Sequence, residues 1–221
     1  MYYNITVMQP LFAEVYMRNL FLLFCFVCLA LLAMATWNAM SRPATTISIT
    51  LTVPHVSRIS QLDCQQYSSL EECNTWSPSA CSATSMAEAM NAYGHTYRIA
   101  DVLKIEESFT HPQVISPTEG LLYTDGIDRT LRSFGFKARQ LKNPTVTQVE
   151  DAARLAPVIV NFPPYRWAGG HFLIVTGGDR QRVLLADSSS YDMPSLSMAT
   201  FLKYWAGFAV AVTPQQQGGQ S

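Results

Sequence analysis

Charge is scarce in this chain: Lys and Arg number 15 and Asp and Glu 16 among 221 residues, 14% in all, where an average soluble chain carries roughly 25%. The formal net charge of -1 leaves no basic excess to neutralise a row of phosphates, so nucleic-acid binding is not expected. Metal-ligand spacing is missing as well. No Cys-x-x-Cys pair occurs outside one apolar segment, and the four histidines are not paired at ligand spacing, so neither a metal nor another cofactor is expected. There is no internal repeat. Apolar residues, at 48%, are plentiful, which excludes a wholly disordered chain. The length gives room for one domain of about 150 to 200 residues with something short attached.

The short attachment is N-terminal. Leu20 to Trp37 (LFLLFCFVCLALLAMATW) runs eighteen residues without a charge or a proline, the lower limit for a spanning helix. It reads either as an uncleaved membrane anchor or as a signal peptide cut after the small-x-small triplet Ala33-Met34-Ala35, the more so if translation starts at Met17. Arg18 and Arg42 flank it almost evenly, so charge does not decide its orientation. Both readings put the rest of the chain outside the cytoplasm. Cys25 and Cys28 are then plain hydrophobes of this segment. In an oxidising compartment Cys64 and Cys73, nine apart, have the spacing to close a small disulfide loop, which leaves Cys81 odd.

The expected organisation is a signal peptide or anchor over 1–41, a Thr-, Ser- and Pro-rich stalk over 42–60, one domain over 61–213 and a disordered tail over 214–221. Within the domain, Met86, Met90 and Tyr93 share a face of a helix that ends at Gly94 and has Cys81 at its N-terminal edge. A second helix spans Ile99 to Glu107, a third runs from Asp125 to Gly135, and Thr147 with Glu150 form a capping box for a short fourth. The period then changes. Pro157 to Phe162, His171 to Thr176 and Arg182 to Ala186 read as strands, the last two joined by a hairpin over Gly177 to Gln181. A helix over Met198 to Trp205 and a strand over Phe208 to Val212 follow. Helices first and a mostly antiparallel sheet afterwards means α+β.

Three residues in this pattern point to chemistry. A cysteine at a helix start is where a thiolate is favoured, because unpaired N–H groups and the positive pole of the helix stabilise the anion. His171 follows Gly169-Gly170 and opens an apolar strand, so a substrate backbone has space beside a fixed ring. Asp187 ends the next strand, where a hairpin brings it beside the histidine to orient the imidazole and stabilise its charged form. Singly, each has an ordinary reading, as buried thiol, structural histidine and turn aspartate. Together they stand in the order that a Cys-His-Asp nucleophilic site needs. His55, His95 and His111 read as solvated.

On CSATSMAEAMNAYG, GGHFLIVTGGD and VLLADSS the chain resembles the papain-like cysteine peptidases, within them the branch related to bacteriocin-processing (double-glycine leader) peptidases. The resemblance covers about Cys73 to Thr213. It implies a helical half packed on an antiparallel half with the site between them, Cys81 as nucleophile, His171 as general base and acid, and Asp187 as orienting residue. Two positions depart from the pattern: Ser82 stands where members have glycine, and Thr75 stands where an oxyanion glutamine is expected six residues before the nucleophile. Asn74 beside it is the candidate replacement, Gln65 and Gln66 are alternatives, and the Cys81 backbone N–H is the other donor.

The leading expectation is an extracytoplasmic cysteine peptidase acting on a peptide or protein through an acyl-enzyme, touching the membrane only if the N-terminal segment is not cleaved. Acyl or amide transfer with the same triad, a peptidase-like module that binds without turnover, and a structural surface protein are the other readings. Tyr165, Trp167 and Trp205 are candidates to line a cleft. No transporter segments follow in the chain, so leader processing coupled to export is not expected to carry over.

Overall fold

The computed structural model describes Cys28 and residues 54–179 and 181–215. The apolar run Leu20 to Trp37 lies outside the described residues except for Cys28. Among the described residues no helix is long and apolar enough to cross a membrane.

A 3₁₀ turn at Cys64–Gln66 leads to α1 (Leu70–Trp76), α2 (Cys81–Asn91) and α3 (Ile99–Ser108). A small hairpin of β1 (Ile115–Ser116) and β2 (Gly120–Leu121) precedes α4 (Asp125–Ser133). Then come β3 (Phe136–Gln140), α5 (Val146–Ala153), β4 (Val158–Phe162), β5 (His171–Gly178), β6 (Arg182–Ala186), β7 (Ser195–Ser197), α6 (Met198–Tyr204) and β8 (Ala209–Pro214). Six strands form one antiparallel sheet in the order β3-β8-β4-β5-β6-β7. The α+β expectation holds.

The apolar runs of β4 and β5 are explained by burial on both sheet faces. Ile159, Phe172 and Ile174 join a cluster with Met86, Met90, Val102, Leu103, Ile127 and Leu131 of α2, α3 and α4. Val158, Val160, Leu173 and Val175 join a second cluster with Val149 and Ala153 of α5 and Phe201 of α6. A strand covered on both sides has no polar face to alternate with. α2 itself is buried from Ser82 to Met90, so the helix carrying Cys81 is a core helix.

Several expectations need correction. The box capping α5 lies two residues earlier than expected: Thr145 accepts from the Gln148 N–H, and Gln148 reaches back to the Thr145 N–H. Gly177 and Gly178 belong to β5, which bulges between Val175 and Gly177, so the connecting turn is shorter. Residues 54–60, read as the end of a stalk, lie against the domain through Arg58 and Ile59. At the other end Pro214 is still in β8, and Gln215 bonds Gly135 and Phe136. Four strands were not anticipated: β1, β2 and the two edge strands of the large sheet, β3, in which only Phe136 is buried, and the three-residue β7.

Candidate active site

Cys81 is the first residue of α2, preceded by Ala80, which offers no side-chain cap. The first bond into the helix is Thr84 N–H to Ala80 O, so the N–H groups of Cys81, Ser82 and Ala83 precede the helical ladder and are free to face an anion. The Ser82 and Phe172 backbone N–H groups lie beside the thiol and favour its charged form. The side chain is half-buried and opens into a cleft of about 630 Å³ that it shares with Ser79, Glu119, Gly120, Asn161, Gly169, Gly170 and His171.

His171 opens β5 opposite Phe162 of β4. The two glycines before it take φ of +83° and +71°, the left-handed region that side-chain-bearing residues avoid. A Cβ on Gly170 would also come within 3.2 Å of Pro164. Asp187 follows Ala186, which pairs with Ile174 of β5, so the hairpin returns the acid to the histidine's end of the sheet. His171 Nε2 lies 2.7 Å from Asp187 Oδ1. Since an ionised carboxylate only accepts, Nε2 carries the proton, and Nδ1 is left for the thiol.

Asp187 is saturated. Oδ1 also accepts from the Ser189 N–H at 2.9 Å, and Oδ2 accepts from the Ser189 hydroxyl and the Met193 N–H, each at 3.0 Å. Burial works against its charge, but these donors and His171 hold the carboxyl well below the usual carboxylate range. Burial likewise opposes the charged imidazole. The Asp187 bond and the Cys81 thiol overcome it and raise His171 to about 9. Burial would raise the Cys81 thiol, yet the His171 hydrogen bond and charge, with the two backbone donors, bring it below the ordinary thiol value. Such a pair favours thiolate and imidazolium over thiol and imidazole.

One residue earns a place that the sequence reading left open. Trp167 does not line the cleft but stacks on the His171 ring, centroids 6.5 Å apart and planes 28° apart. It also meets Tyr191 at 5.6 Å and Tyr204 at 4.8 Å edge-on, and Phe162 at 5.9 Å with the rings tilted. It covers the histidine on the side of the Asp187 turn. Trp205 is core, donating to Phe208 O, and Tyr165 is 78% exposed outside the cleft.

The structure does not bring Asn74 to Cys81. Asn74 is exposed on α1 and absent from the cleft, and Gln65 and Gln66 in the 3₁₀ turn are absent from it too. Gln61, further upstream, does not line the cleft either but, unlike them, is buried. Its Oε1 accepts from the Ser188 hydroxyl at 2.9 Å, its Nε2 donates to Ser77 O at 2.8 Å, and its backbone N–H donates to Ser188 O at 2.9 Å. Spacing alone hid it, because the loop closed by the Cys64–Cys73 disulfide and α1 intervene between Gln61 and Cys81. A glutamine just before that loop was the available signal.

Among curated proteins none matches this chain. Solved structures do. The peptidase domain of Streptococcus ComA, a bi-functional ABC transporter involved in quorum sensing, is 21% identical with a TM-score of 0.55, covering 73% of this chain and 100% of that one. A C39-like peptidase from Bacillus anthracis is 17% identical with a TM-score of 0.50, covering 74% and 96%. At these identities the likeness is one of fold, and it accords with the helical half, the antiparallel sheet and the cleft between them. The model of the Peptidase C39 family matches residues 77–217, the stretch that carries Cys81, His171 and Asp187, and the chain belongs to that family.

Proposed function

We propose that this protein is an extracytoplasmic cysteine peptidase in which Cys81, His171 and Asp187 act as a triad. The carrying observation is the His171 Nε2–Asp187 bond at 2.7 Å together with Cys81 and His171 lining one cleft, the imidazole near enough to bring the thiol below its ordinary value. His171 takes the thiol proton and the thiolate attacks the carbonyl carbon of a peptide bond. The imidazolium returns that proton to the leaving amine as the C–N bond breaks, leaving a thioester on Sγ. Water, deprotonated by His171, attacks the thioester; the acid is released and the thiol regenerated. Asp187 holds the imidazole tautomer throughout and stabilises its charged form.

The tetrahedral oxyanion is assigned to the Cys81 N–H and the Gln61 side-chain amide. What supports Gln61 is its burial and its suspension between Ser188, next to Asp187, and Ser77, four residues before Cys81, with one N–H engaged by Ser77 and a second to give. Peptide or protein is the proposed substrate. Support for an extracytoplasmic placement comes from the apolar Leu20 to Trp37 run and from the Cys64–Cys73 disulfide, a bond rare in reducing compartments. Cys81→Ala is expected to abolish both peptide hydrolysis and labelling of residue 81 by a thiol-directed probe. Undiminished hydrolysis by that variant ends the proposal.

A further inference from the structure

We propose that Arg58 is a positioning residue of the site, acting from a strap (residues 58–61) that precedes the family-matched stretch and binds the backbone of the Asp187 turn. The inference rests on the triad reading above. The Arg58 guanidinium is a fork of fixed geometry, and here it spans the turn: Nε donates to Asp187 O at 2.6 Å and Nη2 to Ser189 O at 2.8 Å, while Nε also faces Asp192 Oδ1 at 2.7 Å. No other side chain among the described residues bonds the Asp187 carbonyl. The same turn supplies the Ser189 and Met193 donors to the Asp187 carboxylate, and its Tyr191 meets Trp167 over His171. One guanidinium therefore steadies the backbone from which both the carboxylate and the aromatic cover project.

The strap is fixed at its next residues to the Cys81 side. The Ile59 N–H donates to Glu88 Oε1 of α2 at 2.6 Å, and Gln61 bonds Ser77 and Ser188. Four residues thus join the turn of Asp187 to the helix of Cys81. Their donors and acceptors come from outside residues 77–217 that the family model matches. The titratable groups around the guanidinium are Asp192 in the turn and Glu88 on α2. With the fork removed, the turn loosens and the Asp187–His171 bond is held for less of the time. The imidazolium is then less stabilised, and so is the thiolate it supports.

The test compares the full-length protein with Arg58→Ala, Arg58→Lys and Asp192→Ala. The rate of Cys81 alkylation by iodoacetamide is followed by peptide mass across pH 4 to 9, with His171 ring shifts and melting temperature measured beside it. Arg58→Ala is expected to move the low-pH rise in alkylation up by about one pH unit, a roughly tenfold lower rate on that limb, and to lower the His171 transition. Arg58→Lys, which keeps the charge but not the fork, should recover part of that shift, and Asp192→Ala should leave it in place. A purely structural role lowers melting temperature without moving the rise, and that outcome overturns the inference while the triad reading stands. If Arg58→Ala does not fold, an unshifted rise in Arg58→Lys overturns it equally. A wild-type protein whose Cys81 reacts as an ordinary thiol overturns the triad reading and this inference together.

Discussion

The two sides of the cleft treat their polar groups in opposite ways. On the sheet side every oxygen of Asp187 is engaged, the carboxylate four times and the carbonyl by Arg58. On the helix side the polar side chains around Cys81 are buried without partners among the described residues: Ser82 Oγ, Ser85 Oγ, one Glu88 oxygen and both Glu106 oxygens. Hydrogen bonds hold the orienting carboxylate charged, whereas desolvation on the other side raises Glu88 to about 8 and Glu106 well above its usual range. The Cys81 thiolate and a Glu106 carboxylate would repel one another, so a neutral Glu106 leaves the negative charge to sulfur. A rigid, saturated carboxylate and a thiol backed by desolvated, unpartnered groups are complementary halves of one electrostatic arrangement.

The sharpest way to break this contrast is at its saturated end. Asp187→Asn keeps the shape but cannot serve as acceptor both for His171 and for its three other donors. The expected loss in kcat is about 10²–10⁴-fold, with the His171 transition near pH 9 falling. A kcat within threefold of wild type would mean that the saturation is structural only.

Gln61 sits where the halves meet, and its replacement asks which of them owns the oxyanion donor. Gln61→Leu is expected to lower kcat about 10²–10³-fold with a smaller change in KM. Asn74→Ala, exposed on α1, should match wild type within error; the reverse result would restore Asn74 to the site.

The smallest effect lies on the unsatisfied side and is read in stability. The Glu88 carboxyl has a folded value, about 8, above its unfolded one. Its contribution is therefore fully present below the ordinary glutamate range and is lost as pH rises to about 8. Glu88→Gln retains an acceptor for the Ile59 N–H and does not ionise. It should gain stability over wild type progressively between about pH 5 and 8, reaching a few kcal/mol in urea unfolding, and the difference should be flat above that. A pH-independent difference would show that Glu88 is not carrying the desolvation penalty.

The part of the site that was legible in sequence is the part whose geometry is local. Gly169-Gly170-His171 and the helix start at Cys81 are each written in consecutive residues, and Asp187 lies one hairpin from His171, so spacing alone brings it near. Gln61 and Arg58 act through contacts spanning more than 120 residues, to Ser188 and Asp187, and no local pattern encodes such a reach. The surroundings of Arg58, rich in Ser and Thr, read as stalk because composition does not reveal that a backbone is docked. α1 is obscure for another reason: Ser69 caps it by accepting from the Glu72 N–H, but in seven residues it buries only Cys73 and Trp76, too few to show a helical period. β3 has one buried residue in five, too little periodicity to register as a strand.

The position of β5 also sets the order in which this molecule should come apart. It is hydrogen-bonded to β4 and β6 and covered on both faces by apolar clusters, so its amides are expected to exchange with solvent only on global unfolding. The strap that carries Arg58 lies outside the sheet and is held by a few hydrogen bonds from Arg58, Ile59 and Gln61, so it belongs to a less protected class of segment. Opening that strap would release the Asp187 turn while the strand beneath His171 stays folded, and heat should therefore silence the site some degrees before it melts the sheet.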